Sequence, residues 1–303
     1  MNERTVINHL CRLTGCILLC FLSLGCGGDE PQQGKTAPAK DTPESKTEEI
    51  SPISVSKIMD ISDLYDNSYI QSMAIYGDYA FVLNTKGGCR VVDLNQKQVI
   101  AETRLATYVS DNHANHAEFS HQFKDQSSFP LLYVTPLYSG RCYVENYHPE
   151  TNTFSREQTI LLSTTVFSNE RTTQFSIDRD KGLLYVISHK GLSEEHLRWF
   201  KLPDINKKWV TLTDDDLLGS HILTKIWNNS GQGSYIIKGN LYLMYGTDKT
   251  EHDIYVVDLN TFNYKHYEFS QFLSAEPEGL APYKGYLMVN TNFPGGIYRL
   301  MKY

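Results

Sequence analysis

The densest group of side chains able to do chemistry is Asn112-His113-Ala114-Asn115-His116-Ala117-Glu118, with His121 close behind. Alternate residues of an extended strand share a face, so His116 and Glu118 stand together. A carboxylate beside an imidazole orients it and favours its charged form. His113 and His116 with a nearby carboxylate, joined by His189, also offer the donor types of a metal site, although no helix holds them in register. The structural alternative is that these asparagines and histidines satisfy backbone groups at a junction between sheets. A second group is Glu276-Pro277-Glu278-Gly279. Paired carboxyls serve glycoside hydrolysis when roughly 5–5.5 Å apart (retaining) or 6.5–9.5 Å apart (inverting). The plainer reading is a turn, with Pro fixing one dihedral and Gly permitting another. His116, Glu118 and Glu278 are thus the catalytic candidates, and no metal is assigned.

Other motifs are missing from the sequence. There is no Gly-x-Ser-x-Gly elbow, phosphate loop, dinucleotide fingerprint or His-Glu-x-x-His pattern, so no cofactor is expected. Asp214-Asp215-Asp216 lacks a complete calcium loop and reads as a solvated helix cap.

The elements that must position these residues follow from composition and repetition. The 303 residues are 41% hydrophobic and 21% charged, which excludes a mainly disordered chain, a collagen-like repeat and a polytopic membrane protein. Asp plus Glu (35) outnumber Lys plus Arg (28), and no basic stripe occurs, so a nucleic-acid partner is not expected. Twenty tyrosines and thirteen phenylalanines favour strands.

The N-terminus carries an address. A short basic start (Arg4, Arg12) precedes the apolar run Cys16-Ile17-Leu18-Leu19-Cys20-Phe21-Leu22, too short to span a bilayer and flanked like a secretory signal. Gly25-Cys26 resembles the lipobox of bacterial lipoproteins, with Ser23 and Leu24 in the reverse of the usual order; a simple cleaved signal is the alternative. The resemblance implies a signal peptide over 1–25, lipidation of Cys26 and attachment to a membrane of the bacterial cell envelope. Residues 26–52 have almost no large apolar side chain and read as a flexible tether. Asp29-Glu30 is similar to signals that carry some Gram-negative lipoproteins to the cell surface, so the outer membrane is the expected location, facing the periplasm or the exterior. Beyond the signal and Cys26 only Cys89 and Cys142 remain. Both lie in strand-like runs and read as buried free thiols, with a disulfide as the alternative.

Residues 53–303 repeat. Cys89-Arg90-Val91-Val92-Asp93-Leu94-Asn95 parallels Ile254-Tyr255-Val256-Val257-Asp258-Leu259-Asn260. Upstream of each stands an apolar run, a Gly turn (Gly77-Asp78; Lys238-Gly239-Asn240) and a second apolar run. The same grammar recurs from Ala117, Gln174 and Gly279. Units of roughly 45–60 residues with three or four short strands suit propeller blades. The last unit ends at Tyr303 after three strands, and Ser54 to Asp60 is a spare strand-like run. The expected fold is therefore all-β: one propeller of five blades, monomeric, closed by the N-terminal strand joining the last blade. Six blades are the alternative, with residues 205–230 (Trp209-Val210-Thr211-Leu212, His221-Ile222-Leu223) forming part of another.

With its Val-Val-Asp-Leu-Asn exits and its Glu276-Pro277-Glu278-Gly279-Leu280 run, the chain resembles bacterial secreted β-propeller lipoproteins. The latter run is similar to blade openings of strictosidine-synthase-like and phytase-like propellers. That resemblance implies a fold rather than a function. Arabinanase-like glycosidases also use five blades with acids on inner strands, but this chain lacks their early Asp, opening with Gln71-Ser72-Met73. Ligands of propellers gather where inner strands begin and the loops between second and third strands open. There the sequence places Gln71, Asn115, His116, Gln174, Ser234 and Glu278, ringed by Asn84 to Gly88, Tyr138, Arg141, His189, Lys190, Asp248 to Asp253 and Asn290 to Pro294. Such a ring suits a glycan or another small polar ligand. A binding module is the first expectation, a hydrolase or lyase at the same mouth the second, and a protein-interaction scaffold the third.

Overall fold

In a computed structural model of the chain, the described residues are 53–61, 68–110, 112–163, 170–189, 194–226 and 230–303. The signal, Cys26, the tether and Lys190 lie outside them. Among the described residues no helix is long and apolar enough to cross a membrane.

Five antiparallel sheets form the ring. The first holds β2 (Ile70–Tyr76), β3 (Tyr79–Asn84), β4 (Gly88–Asp93) and β5 (Gln98–Arg104). The second holds β6 (Ala114–Phe119), β7 (Leu132–Pro136), β8 (Arg141–His148) and β9 (Thr153–Leu162). The third is built from β10 (Arg171–Asp178), β11 (Leu183–His189), β12 (Glu194–Lys201) and β14 (Leu217–Thr224). The fourth has β15 (Gly231–Ile237), β16 (Asn240–Tyr245), β17 (Asp253–Asp258) and β18 (Tyr264–Glu268). The fifth has β19 (Pro277–Tyr283), β20 (Tyr286–Thr291) and β21 (Gly296–Lys302), completed by β1 (Ser56–Asp60).

The ring closes as expected. β1 pairs antiparallel with β21, Lys57 opposite Tyr298 and Asp60 opposite Gly296. The alternative of six blades is corrected. Within residues 205–230, Trp209–Leu212 forms β13, which adds in parallel to β9 as a fifth strand of blade two. β14 pairs with β12 as the outer strand of blade three. Each strand completes an existing edge, and Leu212 is buried between blades two and three. The acidic triplet is a single 3-10 turn, whose Asp216 carboxylate accepts from the Thr213 N–H (2.9 Å) and hydroxyl (2.8 Å).

The repeated exits have a common cause. Asp93 Oδ1 accepts the N–H groups of Asn95 and Gln96, both at 2.9 Å. Asp258 Oδ1 takes the Asn260 N–H at 2.7 Å, and Asp178 takes those of Asp180 and Lys181 at 3.1 Å. Side-chain turns of this kind end a strand without leaving donors bare. The Lys238-Gly239 and Lys284-Gly285 hairpins have positive φ at both positions, the handedness that suits twisted strands.

Packing explains why the sheets need one another. The five apolar clusters each lie between adjacent blades. Phe81 of blade one, for instance, meets Phe119, Tyr147 and Phe129 of blade two edge-on at 5.0–5.2 Å. Inner strands are buried along almost their whole length, whereas outer strands such as β5 alternate. Cys89 and Cys142 are free and buried, and burial pushes both thiols up.

Candidate functional site

Every innermost strand opens with the same irregularity. The register to its neighbour slips between Ile70 and Ser72, Ala114 and His116, Thr172 and Gln174, Gly231 and Gly233, and Pro277 and Gly279. The extra residue is Gln71, Asn115, Thr173, Gln232 or Glu278. A bulge bends its strand and re-aims one side chain. Here it points four long polar side chains at the axis. Gln71, Asn115, Gln232 and Glu278 are each buried. Asn115 Nδ2 reaches from blade two to the Gly231 carbonyl of blade four at 3.1 Å, so these residues face one another across the mouth.

The channel beneath is tight. A Cβ on Gly279 would stand 2.4 Å from Met73 N and from Asn290 Oδ1, and one on Gly233 2.9 Å from Leu280 N. Glycine at these two seats lets blades four, five and one meet at backbone distance.

Two acids dominate the mouth. Gln71 Nε2 donates to Glu278 Oε1 at 3.4 Å, and Gln232 Nε2 to Glu276 Oε1 at 3.1 Å. Asn292 Nδ2 donates to Glu276 Oε2 at 3.3 Å. Burial, reinforced by the Glu276 charge, pushes the Glu278 carboxyl well above the usual carboxylate range. Burial also raises Glu276, with Asp248 adding to the shift while Asn292 and His252 oppose it. His252 is held by two carbonyls, Nδ1 against Leu273 (2.8 Å) and Nε2 against Thr247 (3.0 Å). Asn290 is wholly buried, and neither end of its amide has a partner among the described residues; Gln174 Oε1 and Asn292 Oδ1 are in the same condition.

His116 and Glu118 lie one and three residues beyond the bulge, inside the wall. His116 Nε2 is 3.5 Å from Glu118 Oε2, and Glu118 Oε1 is 2.7 Å from Arg179 Nη1. The Ile177 N–H donates to Glu118 at 3.3 Å, and the Arg179 guanidinium stacks 4.5 Å over the Tyr235 ring. Both His116 and Glu118 are buried, and they tie blades two, three and four together. Among the described residues no three His, Cys, Asp or Glu side chains are grouped to hold a metal ion.

The rim carries the remaining candidates. Tyr138 sits in a left-handed turn (φ 55°) and meets His189 edge-on at 5.7 Å. The Arg171 guanidinium lies 5.0 Å from the same ring, and burial together with Arg171 lowers the His189 pKa. Tyr69, Val109, Phe272 and Phe293 are exposed at the same end. Arg141 stands apart, exposed on β8 opposite Leu161 of β9. Sequence reasoning aligned Ser234 with the strand openings. The structure puts Gln232 there and leaves the Ser234 hydroxyl against that of Ser176. The signal lay in Gly231-Gln232-Gly233, where glycines replace the apolar residues that mark the other strands. Arg171 was also missed, since nothing in its neighbours' types distinguishes it, whereas Asn292 lies within the run Asn290 to Pro294 expected at the ring.

No protein-family model matches the chain, and no curated protein does. Among solved structures it is similar to the glutaminyl cyclase of Myxococcus xanthus, at 14% identity and a TM-score of 0.50, over 84% of this chain and 100% of that one. It is likewise similar to the tail fiber of Staphylococcus aureus phage P68, at 14% identity and a TM-score of 0.50, over 82% of this chain but about half (52%) of the fiber. At such identities the likeness bears on the fold alone, and the five sheets themselves show a five-bladed β-propeller.

Proposed function

We propose that the chain is a binding propeller, tethered to the bacterial cell envelope through lipidated Cys26, that takes a small polar ligand at its axial mouth. The carrying observation is the convergence of Gln71, Asn115, Gln232 and Glu278 beside an Asn290 amide with no partner among the described residues. Leaving buried amides unpaired costs about 1–3 kcal/mol per group, which a hydrogen-bonding ligand restores. Exposed Tyr69, Tyr138, Phe272 and Phe293 offer flat apolar faces around it. A glycan unit fits this mixture of amides, acids and rings.

The test is a thermal-shift and calorimetric screen of oligosaccharides and small polar metabolites, repeated on Gln71→Ala and Gln232→Ala. Binding that survives both substitutions unchanged removes the mouth from consideration. Metabolic labelling with a fatty acid, lost in Cys26→Ser, tests the tether.

A second reading, chemistry at the same mouth, draws support from the acid pair. A buried carboxyl with a raised pKa beside a second carboxyl is an acid–base arrangement, and the glutaminyl cyclase shows that this fold hosts an enzyme. Release of product in the same screen, abolished by Glu278→Gln, decides for catalysis.

A further inference from the structure

The two sides of the mouth lack opposite things. On the side of blades four, five and one, acceptors exceed donors. Glu276 and Glu278 bring four carboxyl oxygens, and Asn290 and Asn292 add amide oxygens without partners among the described residues. The donors reaching the acids are three side-chain amides. Two of these, Gln71 and Gln232, also serve the carbonyls of Ile70 and Gly246. Among the described residues no Lys or Arg forms an ion pair with either acid. A buried carboxyl (Glu278) beside a half-buried one (Glu276), with no cation among the described residues, is an unfinished arrangement. Across the axis, at the start of β10, the reverse holds. Arg171 is exposed, rests on Tyr138, and has no acid partner among the described residues.

We propose that the mouth selects a small zwitterion, an amino acid or short peptide with free ends, its ammonium set among Glu276, Glu278 and Asn290 and its anionic group against Arg171. This rests on the reading of the mouth as a ligand site. An ammonium brings three donors and a positive charge, matching the surplus of acceptors. A guanidinium over an aromatic face is a carboxylate receptor with a fixed plane. Burial and the Glu276 charge push the Glu278 carboxyl well above the usual carboxylate range, so a second anion there is disfavoured. An arriving ammonium reverses that balance, and the proton leaves to solvent. Among the described residues, the charged or titratable groups around Glu278 are Glu276, just before its strand, and, beyond Glu276, Asp248 and His252 of the β16–β17 loop. Its remaining polar neighbours, Gln71 and Asn292, are neutral.

The experiment is calorimetric titration of the full chain with unblocked dipeptides, their N-acetyl and C-amide forms, and neutral disaccharides. The unblocked dipeptides are expected to bind, with at least tenfold loss on N-acetylation. Glu278→Gln should remove the preference for a free amine, and Arg171→Gln the preference for a free carboxylate. Repeating the titration in buffers of different ionisation enthalpy should reveal a proton released on binding, absent in Glu278→Gln. N-acetyl forms binding as tightly as free ones overturn the proposal. Disaccharides binding where dipeptides do not overturn it too, while keeping the mouth as the site. Silence from every probe overturns both.

Discussion

Gln71 and Glu278 stand 207 residues apart in sequence, yet the amide of one donates to the carboxyl of the other at 3.4 Å. They meet because β2 and β19 are neighbouring inner strands where the last blade meets the first, and because both residues are the extra member of a bulge. The closure of the ring and the construction of the mouth are therefore one event. Anything that loosens the junction of blades five and one also displaces Glu278.

The first prediction concerns pH. Glu278, Glu276 and Glu145 are all raised above their ordinary value of 4.5, burial being the first cause in each. A carboxyl with a raised folded-state pKa contributes stability that is fully present below the unfolded pKa and is lost as pH rises through the folded pKa. The melting temperature should thus fall as pH climbs from about 4.5 into the neutral range. Glu278→Gln keeps the shape and removes the ionisation, so it should flatten that decline and raise Tm at pH 7 while leaving Tm at pH 4.5 nearly unchanged. A parallel pair of pH–Tm curves, by scanning fluorimetry, would show that Glu278 is not held protonated.

The second prediction concerns close approach. At Gly279 an added methyl carbon meets backbone nitrogen at 2.4 Å, and at Gly233 at 2.9 Å. Neither neighbour is the flexible end of a side chain, so the strands must part. Gly279→Ala should cost about 3 kcal/mol, the upper range for overpacking, and Gly233→Ala somewhat less. Denaturant unfolding of the two variants measures the order. Equal, small losses would mean that the inner strands have room to spare.

The ring was legible in the sequence because its causes are local. Val-Val-Asp-Leu-Asn occurs twice because in both copies the aspartate caps the turn that follows the third strand, as Asp93 and Asp258 do. Two-residue Gly turns announce hairpins for a similar reason. The mouth was only half legible. Gln71, Asn115 and Glu278 could be found because apolar strands follow them directly. Gln232 could not, hidden between two glycines that exist for a contact with another blade. β13 was ambiguous because its partner, β9, lies in the preceding blade, and a parallel pairing of this kind leaves no turn signal. His116 and Glu118 drew attention as chemistry, but Arg179, which fixes Glu118, lies 61 positions along in another blade. No pattern of period two connects them.

The third prediction follows from the shared last blade. β1 is held by its ladder to β21 and by flanking bonds from Ser54 N to Leu300 O (3.1 Å) and Ile61 N to Gly295 O (3.0 Å). Without it β21 becomes a bare edge and Ile58 and Met59 leave the cluster between blades five and one. A chain beginning at residue 62 should unfold at a markedly lower temperature than one beginning at residue 49, and with a broader transition. Calorimetry compares them. Identical transitions would mean that the ring is secured elsewhere.

The last prediction separates structure from function at the His116 cluster. Glu118 is fully buried, lies 2.7 Å from Arg179 and accepts the Ile177 N–H. Removing one member of a buried pair leaves an uncompensated charge and typically costs about 3–5 kcal/mol, whereas replacing both by apolar residues is often near neutral. Glu118→Ala should therefore be strongly destabilising, and Glu118→Leu with Arg179→Met should recover much of the loss. His116→Ala removes a ring whose nearest acid is already held by Arg179, so it should cost less than Glu118→Ala. If His116 instead contacts the ligand from the wall, its alanine variant loses affinity in the ligand screen while unfolding close to wild type. A variant that unfolds early but binds normally assigns the histidine to the scaffold, and with it the whole group around Arg179.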